Sequence, residues 1–87
     1  MTMRVLIPTP LRSYSGVSWA QASGASLGAV LADLDRQYPG IRFRMIDEQD
    51  RMRPNMRFFV NGRATFDLAL ALRATDEVQI VQALSGG

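Results

Sequence analysis

Ser26-Leu27-Gly28-Ala29-Val30-Leu31-Ala32-Asp33-Leu34-Asp35-Arg36-Gln37-Tyr38-Pro39-Gly40 is the stretch on which the fold turns. Leu27, Val30, Leu31, Leu34 and Tyr38 recur at the spacing of one face of an α-helix, and Asp33, Asp35 and Arg36 lie off that stripe. Ser26 is suited to accept from the unpaired amides of a first turn, and Pro39-Gly40 ends the pattern. A single amphipathic helix must bury its stripe against something, and the flanking sequence offers short β-type runs.

On the N-terminal side, residues 3–7 are apolar and β-branched and stop at Pro8, which predicts a strand. Thr9 to Gly16 reads as a turn region, and residues 17–22 alternate as a second strand, pairing with the first as an antiparallel hairpin. On the C-terminal side, residues 41–46 fit either an alternating segment or a helical turn. Residues 47–54 are charged and end in Pro54, as a loop does. Met56-Arg57-Phe58-Phe59-Val60 is a strand, followed by Asn61-Gly62, a strong hairpin-turn signal. A short strand or extended segment over 63–67, a tight helical turn over 68–72 and a final alternating strand over 77–84 complete the chain. One helix covering one face of a small mixed sheet is an α+β fold. A β-grasp, with first and last strands parallel at the sheet centre, satisfies this order, and it leaves the other sheet face open.

Composition narrows the chemistry. Eighty-seven residues make one domain, expected over 1–84 with a flexible tail at 85–87. There is no cysteine, histidine or lysine, so all ten basic residues are arginine. The commonest general base, the best nucleophile, the phosphate-loop lysine and thiolate metal ligands are therefore missing. No catalytic residue and no metal site is expected. Arg42, Arg44, Arg51, Arg53 and Arg57 cluster, but Asp47, Glu48 and Asp50 lie among them, and five positives against three negatives leave +2 over 42–57. That field is too weak for nucleic acid. No apolar run has the length of a membrane span or a secretory leader, so a cytoplasmic location is expected.

The chain resembles the MoaD/ThiS family of ubiquitin-like sulfur carriers over nearly its whole length. The resemblance rests on Val5-Leu6-Ile7-Pro8, on Leu27 to Leu34 with Tyr38-Pro39-Gly40, on Phe59-Val60-Asn61-Gly62, and on Asp76-Glu77-Val78-Gln79-Ile80 leading to Gly86-Gly87. It is nearest in pattern to the longer carriers that serve cysteine biosynthesis or other thiocarboxylate pathways, and looser toward the molybdopterin synthase small subunit. Two stretches depart from the family: Gln82-Ala83-Leu84-Ser85 lacks the usual proline, and Ala74-Thr75-Asp76-Glu77 replaces Asp-Gly-Asp-Glu.

The resemblance implies a protein that is a substrate rather than an enzyme. A ubiquitin-activating-type enzyme, using ATP and Mg, would adenylate the Gly87 carboxylate. Sulfur would then displace AMP, and a sulfur-accepting synthase would take the sulfur for cysteine, molybdopterin, thiamine or a related thio-metabolite. The carrier itself is expected to bind no cofactor, nucleic acid or membrane, and to be a monomer when alone. Glycine suits a narrow partner channel because no Cβ meets the walls, so Ser85 and Gly86 would thread it. Ordering four tail residues costs roughly 4–8 kcal/mol, which a docking surface must offset. Strand alternation proposes one: with Val78, Ile80 and Phe58 facing the helix, Phe59 and Val81 face outward, with Leu84 beside the tail. Each such side chain contributes roughly 1.5–3 kcal/mol on burial. The alternative places Phe59 in the core and Phe58 outside.

Trp19 and Tyr14 are expected to pack, Met45, Met52 and Met56 to fill gaps or loops, and Asp47, Glu48 and Asp50 to be solvated. Two other functions share the architecture: a modifier conjugated to lysines of other proteins, and a non-covalent binding module using the open sheet face.

Overall fold

The stripe of the central helix finds its sheet. The computed structural model describes residues 2–83. Strand β1 (Met3–Leu6) leads through a 3-10 turn (Thr9–Leu11) and a short helix α1 (Arg12–Ser15) to β2 (Trp19–Ala22). The main helix α2 (Leu27–Gln37), a one-turn helix α3 (Ile41–Met45), and strands β3 (Met56–Val60), β4 (Arg63–Thr65) and β5 (Glu77–Gln82) follow. Among the described residues these strands form one sheet in the order β2-β1-β5-β3-β4, with β1 and β5 parallel and the other pairs antiparallel. This is the β-grasp expected, with the last strand in the middle.

Helix α2 begins where its cap allows. The Ala29 amide donates to Ser26 Oγ at 3.1 Å, and Tyr38 N–H closes the last turn on Leu34 O. Its stripe, Leu27, Val30, Leu31 and Leu34, is fully buried. Against it lie Val5 and Ile7 from the first strand region, Phe58 from β3, and Val78 and Ile80 from β5. Tyr38 is half-buried at the core's edge.

Several local expectations are corrected. Thr9 to Gly16 is mostly helical, because Pro8 and Pro10 suit the start of a 3-10 turn and Gly16 supplies the left-handed residue (φ 71°) that ends α1. The second strand starts at Trp19, not Val17, and the strand after Gly62 stops at Thr65. Residues 41–45 take the helical alternative, since Ile41 and Met45 then fall on one side and both reach the core. Residues 68–72 form no helix: Leu68 and Leu70 instead lend their carbonyls to the Gly28 and Leu27 amides (2.8 and 3.0 Å), while Leu72 N–H bonds Ala25 O. The segment thus satisfies the free amides at the start of α2, which outweighs a short isolated turn. The final strand is described to Gln82, and the expected domain end at Leu84 and the tail at 85–87 lie outside the described residues. Among the described residues, no helix is long and apolar enough to cross a membrane.

Candidate functional site: the central strand and its open face

Strand β5 is fixed at both ends. At its start, Asn61 and Gly62 both have positive φ (51° and 85°), the geometry of the tight hairpin joining β3 to β4. The Asn61 side chain uses that position fully: Nδ2 donates to Asp76 Oδ1 at 2.8 Å, and Oδ1 accepts from the Glu77 amide at 2.9 Å. The Asn61 amide donates to Glu77 O as well. Asp76 Oδ2 accepts the Arg73 amide at 2.8 Å, and that bond, with the one from Asn61 and the pull of the Arg73 charge, holds its carboxyl below the usual range. At the other end, Ala83 N–H donates to Asn55 O at 2.7 Å. The strand is therefore clamped up to the residue before Leu84.

The register decides the faces. Val78, Ile80 and Phe58 are buried beneath α2, as alternation predicted. Phe59 is half-buried on the opposite face and Val81 is exposed there, so the alternative with Phe59 in the core is set aside. Phe59 pairs with Gln79 and Arg57 with Val81, which makes Phe59 and Val81 diagonal neighbours on the open face, about 7–8 Å apart. Leu84, Ser85, Gly86 and Gly87, the other expected site residues, lie outside the described residues.

The open face holds residues that alternation at the sequence level missed. Trp19, Leu6, Gln79, Phe59 and Ala64 stand in one row across all five strands. Leu6 was hidden in the unbroken apolar run Val5-Leu6-Ile7, where no polar residue marks a face. Trp19 is not core packing: Ala20 and Ala22 point inward, and Trp19 lies outward with the Arg4 guanidinium 4.1 Å from its ring centroid. Arg4 also approaches Glu77 at 3.6 Å. Tyr14 does pack, half-buried against the core. Met45 and Met56 are buried gap-fillers and Met52 packs on the core edge.

The acidic loop is polar and turn-forming. Asp47 Oδ1 accepts the amides of Arg51 and Gln49, and the Arg51 bond is the chief cause of its lowered pKa. Asp50 pairs with Arg42 at 3.0 Å. Among the described residues, no group of three or more acidic side chains is arranged to hold a metal ion. What the site offers chemically is a shape: a central strand clamped as far as Ala83, with an apolar row beside it.

A clamped central strand parallel to the first, roofed by one helix and open on its other face, is the ubiquitin-like β-grasp. The ThiS family model matches residues 5–87, and the chain belongs to that family. It is similar to the sulfur carrier protein CysO of Mycobacterium tuberculosis, with 37% identity over 93 residues and 100% of both chains covered. The crystal structure of CysO from the same organism aligns with a TM-score of 0.87 at 34% identity, over 94% of this chain and 99% of that one. A chain of the Amycolatopsis orientalis BexX/CysO complex aligns with a TM-score of 0.88 at 26% identity, over 98% and 99%. SAMP1 from Haloferax volcanii shares the fold, with a TM-score of 0.84 at 22% identity and full coverage of both chains.

Proposed function

We propose that this protein is a sulfur carrier, acting as a substrate of partner enzymes rather than as an enzyme. The observation that carries the proposal is the full-length similarity to CysO, a protein named as a sulfur carrier, running through to residue 87. The reactive group is the Gly87 α-carboxylate. Its ordinary pKa is roughly 3.3–3.7, so it is ionised at neutral pH. On a ubiquitin-activating-type partner it attacks the α-phosphorus of ATP, and pyrophosphate leaves. A sulfide nucleophile then attacks the acyl carbon, AMP leaves, and a thiocarboxylate remains. ATP and Mg belong to the partner, which also supplies the charges that stabilise the phosphates. The sulfur passes to an accepting synthase, of the cysteine-forming kind that the resemblance to the longer carriers suggests.

This chain contributes presentation. Gly86 and Ser85 cross the partner's channel, and the open face docks outside it. Phe59 and Val81, with Leu84, were expected to offset the tail's ordering cost. Leu6 and Trp19 extend that surface across the sheet, and since both are already half-buried each adds only part of the roughly 1.5–3 kcal/mol of full burial. The test is intact mass after incubation with ATP, sulfide and the activating enzyme. A gain of about 16 Da, the difference between sulfur and oxygen at the activated acyl group, is expected, and it disappears when Gly87 is deleted. An isopeptide remnant on target lysines with no such gain would replace the carrier by a protein modifier.

A further inference from the structure

Four arginines surround the end of β5, and none pairs with a carboxylate among the described residues, where the ion pairs are Arg4–Glu77, Arg36–Asp33 and Arg42–Asp50. Arg12, Arg44, Arg53 and Arg57 are held by neutral oxygens instead. Arg12 Nε donates to Ile7 O at 3.0 Å, and Arg57 Nη1 donates to Pro54 O and Met56 O. Arg44 Nε donates to the Tyr14 hydroxyl at 2.8 Å, and Arg53 Nε to Phe43 O at 2.7 Å. The Arg53 guanidinium also lies 4.7 Å from the centroid of the Phe43 ring, itself 53% exposed. Asp47 feels the charge of Arg53, but its own oxygen is occupied by the Arg51 and Gln49 amides.

Two of the four, Arg44 and Arg53, line a hollow of about 640 Å³, together with Tyr14, Phe43, Asn55 and Gln82. Gln82 and Pro10 also line a smaller neighbouring hollow that reaches Leu6 and Val81 of the open face. The hollow therefore lies at the end of β5 and connects to the apolar docking row through the smaller one. With Nε bound internally, Arg44 and Arg53 are oriented, and the two Nη atoms of each have no partner among the described residues. That edge accepts a carboxylate through two parallel hydrogen bonds.

We propose that this hollow docks an acidic segment of the activating partner, whose Asp or Glu carboxylates take the Nη edges of Arg44 and Arg53 beside the emerging tail. The inference rests on the carrier reading, since it assumes a partner that receives the tail. Charge complementarity and continuity with the open face identify the occupant. The contact would set the register of entry: an apolar face alone tolerates sliding, whereas two directed ion pairs do not.

The test compares the wild type, the Arg44→Gln/Arg53→Gln double variant and Arg36→Gln, whose arginine lies on α2. The rate of the mass gain is followed against carrier concentration at low and high salt. The expected result at low salt is a KM about tenfold higher for the double variant, with little change in the maximal rate. Arg36→Gln should match the wild type, and high salt should bring the wild type toward the double variant. An unchanged KM, or the same rise in Arg36→Gln, overturns the proposal. If the wild type gains no mass at all, the carrier reading has failed, and the hollow is judged by titrating a synthetic Asp/Glu-rich peptide into ¹⁵N-labelled protein. Saturable shifts at Tyr14, Phe43 and, in the wild type, the two arginine Nε–H groups, with those at Tyr14 and Phe43 lost in the double variant, support an acidic polypeptide site. Equal shifts with inorganic phosphate, or none, overturn it.

Discussion

Asn61 Nδ2 donates to Asp76 Oδ1 at 2.8 Å, tying the tip of the β3–β4 hairpin to the start of the central strand. The same Asn61 accepts from the Glu77 amide through its side chain. One residue in the left-handed region thus closes a turn and sets the first pairing of β5. Replacing it with alanine removes both side-chain bonds and places a Cβ residue without local hydrogen bonding at φ 51°. Asn61→Ala should lose about 2 kcal/mol in urea unfolding, while Asn61→Gly, which relieves the backbone, should lose less. Equal losses would mean that the turn conformation contributes nothing.

The Asp76 carboxyl is held below the ordinary carboxylate range chiefly by the Arg73 amide, and that of Asp47 chiefly by the Arg51 amide. A depressed folded pKa contributes stability that is present above the unfolded value and is lost as pH falls through the folded one. Unfolding midpoints should therefore fall as pH drops from about 4 through the lower folded values. Asp76→Asn should be less stable than the wild type at pH 7, with the gap narrowing below about pH 4. A gap that stays constant across that range would remove the charged form from the account.

Phe58 and Phe59 are adjacent in sequence and opposite in role. Phe58 is 1% exposed beneath α2, and Phe58→Ala should cost about 3–5 kcal/mol. Phe59 is half-buried on the open face, so Phe59→Arg should shift stability by about 1 kcal/mol or less and weaken binding to the activating enzyme. Loss of folding in Phe59→Arg would return Phe59 to the core and remove it from the docking row.

Gly24 has a structural role that the open sequence Ser23-Gly24-Ala25 does not announce. A Cβ there would come within 2.7 Å of the Val30 amide nitrogen and 2.8 Å of the Ala29 carbonyl carbon, so the start of α2 would have to move. Gly24→Ala should cost about 1–3 kcal/mol, read as a lowered thermal midpoint. Gly62→Ala, with no atom near its Cβ position, carries only the strain of its φ of 85°.

If Gly86 threads a narrow partner channel as proposed, Gly86→Val should leave the unfolding midpoint unchanged and abolish thiocarboxylate formation, because a branched side chain would meet the walls. A variant that still gains about 16 Da at the wild-type rate would show that the channel tolerates a side chain.

The sequence by itself determined the elements whose signal is local. The 3.6-residue stripe from Leu27 to Tyr38, the cap at Ser26, the Asn61-Gly62 turn and the alternation of Val78 and Ile80 each depend on neighbours within a few residues. Their placement in the β-grasp follows from the need to bury one stripe. Phe59 and Val81 were likewise placed on the open face by alternation alone. Only the tertiary structure decided what depends on distant partners. It made residues 41–45 a helix, because Ile41 and Met45 both reach a core built by other elements. It kept residues 68–72 out of a helix, because the first amides of α2 needed acceptors that their own helix cannot supply. It put Trp19 under Arg4 rather than in the core, and Leu6 into the open row, since an apolar residue in a strand takes its face from register and not from its own type. The hollow shared by Tyr14, Arg44, Arg53 and Gln82 has the same origin: the two arginines already lie close in sequence, but only folding brings the first helical turn and the end of β5 to them.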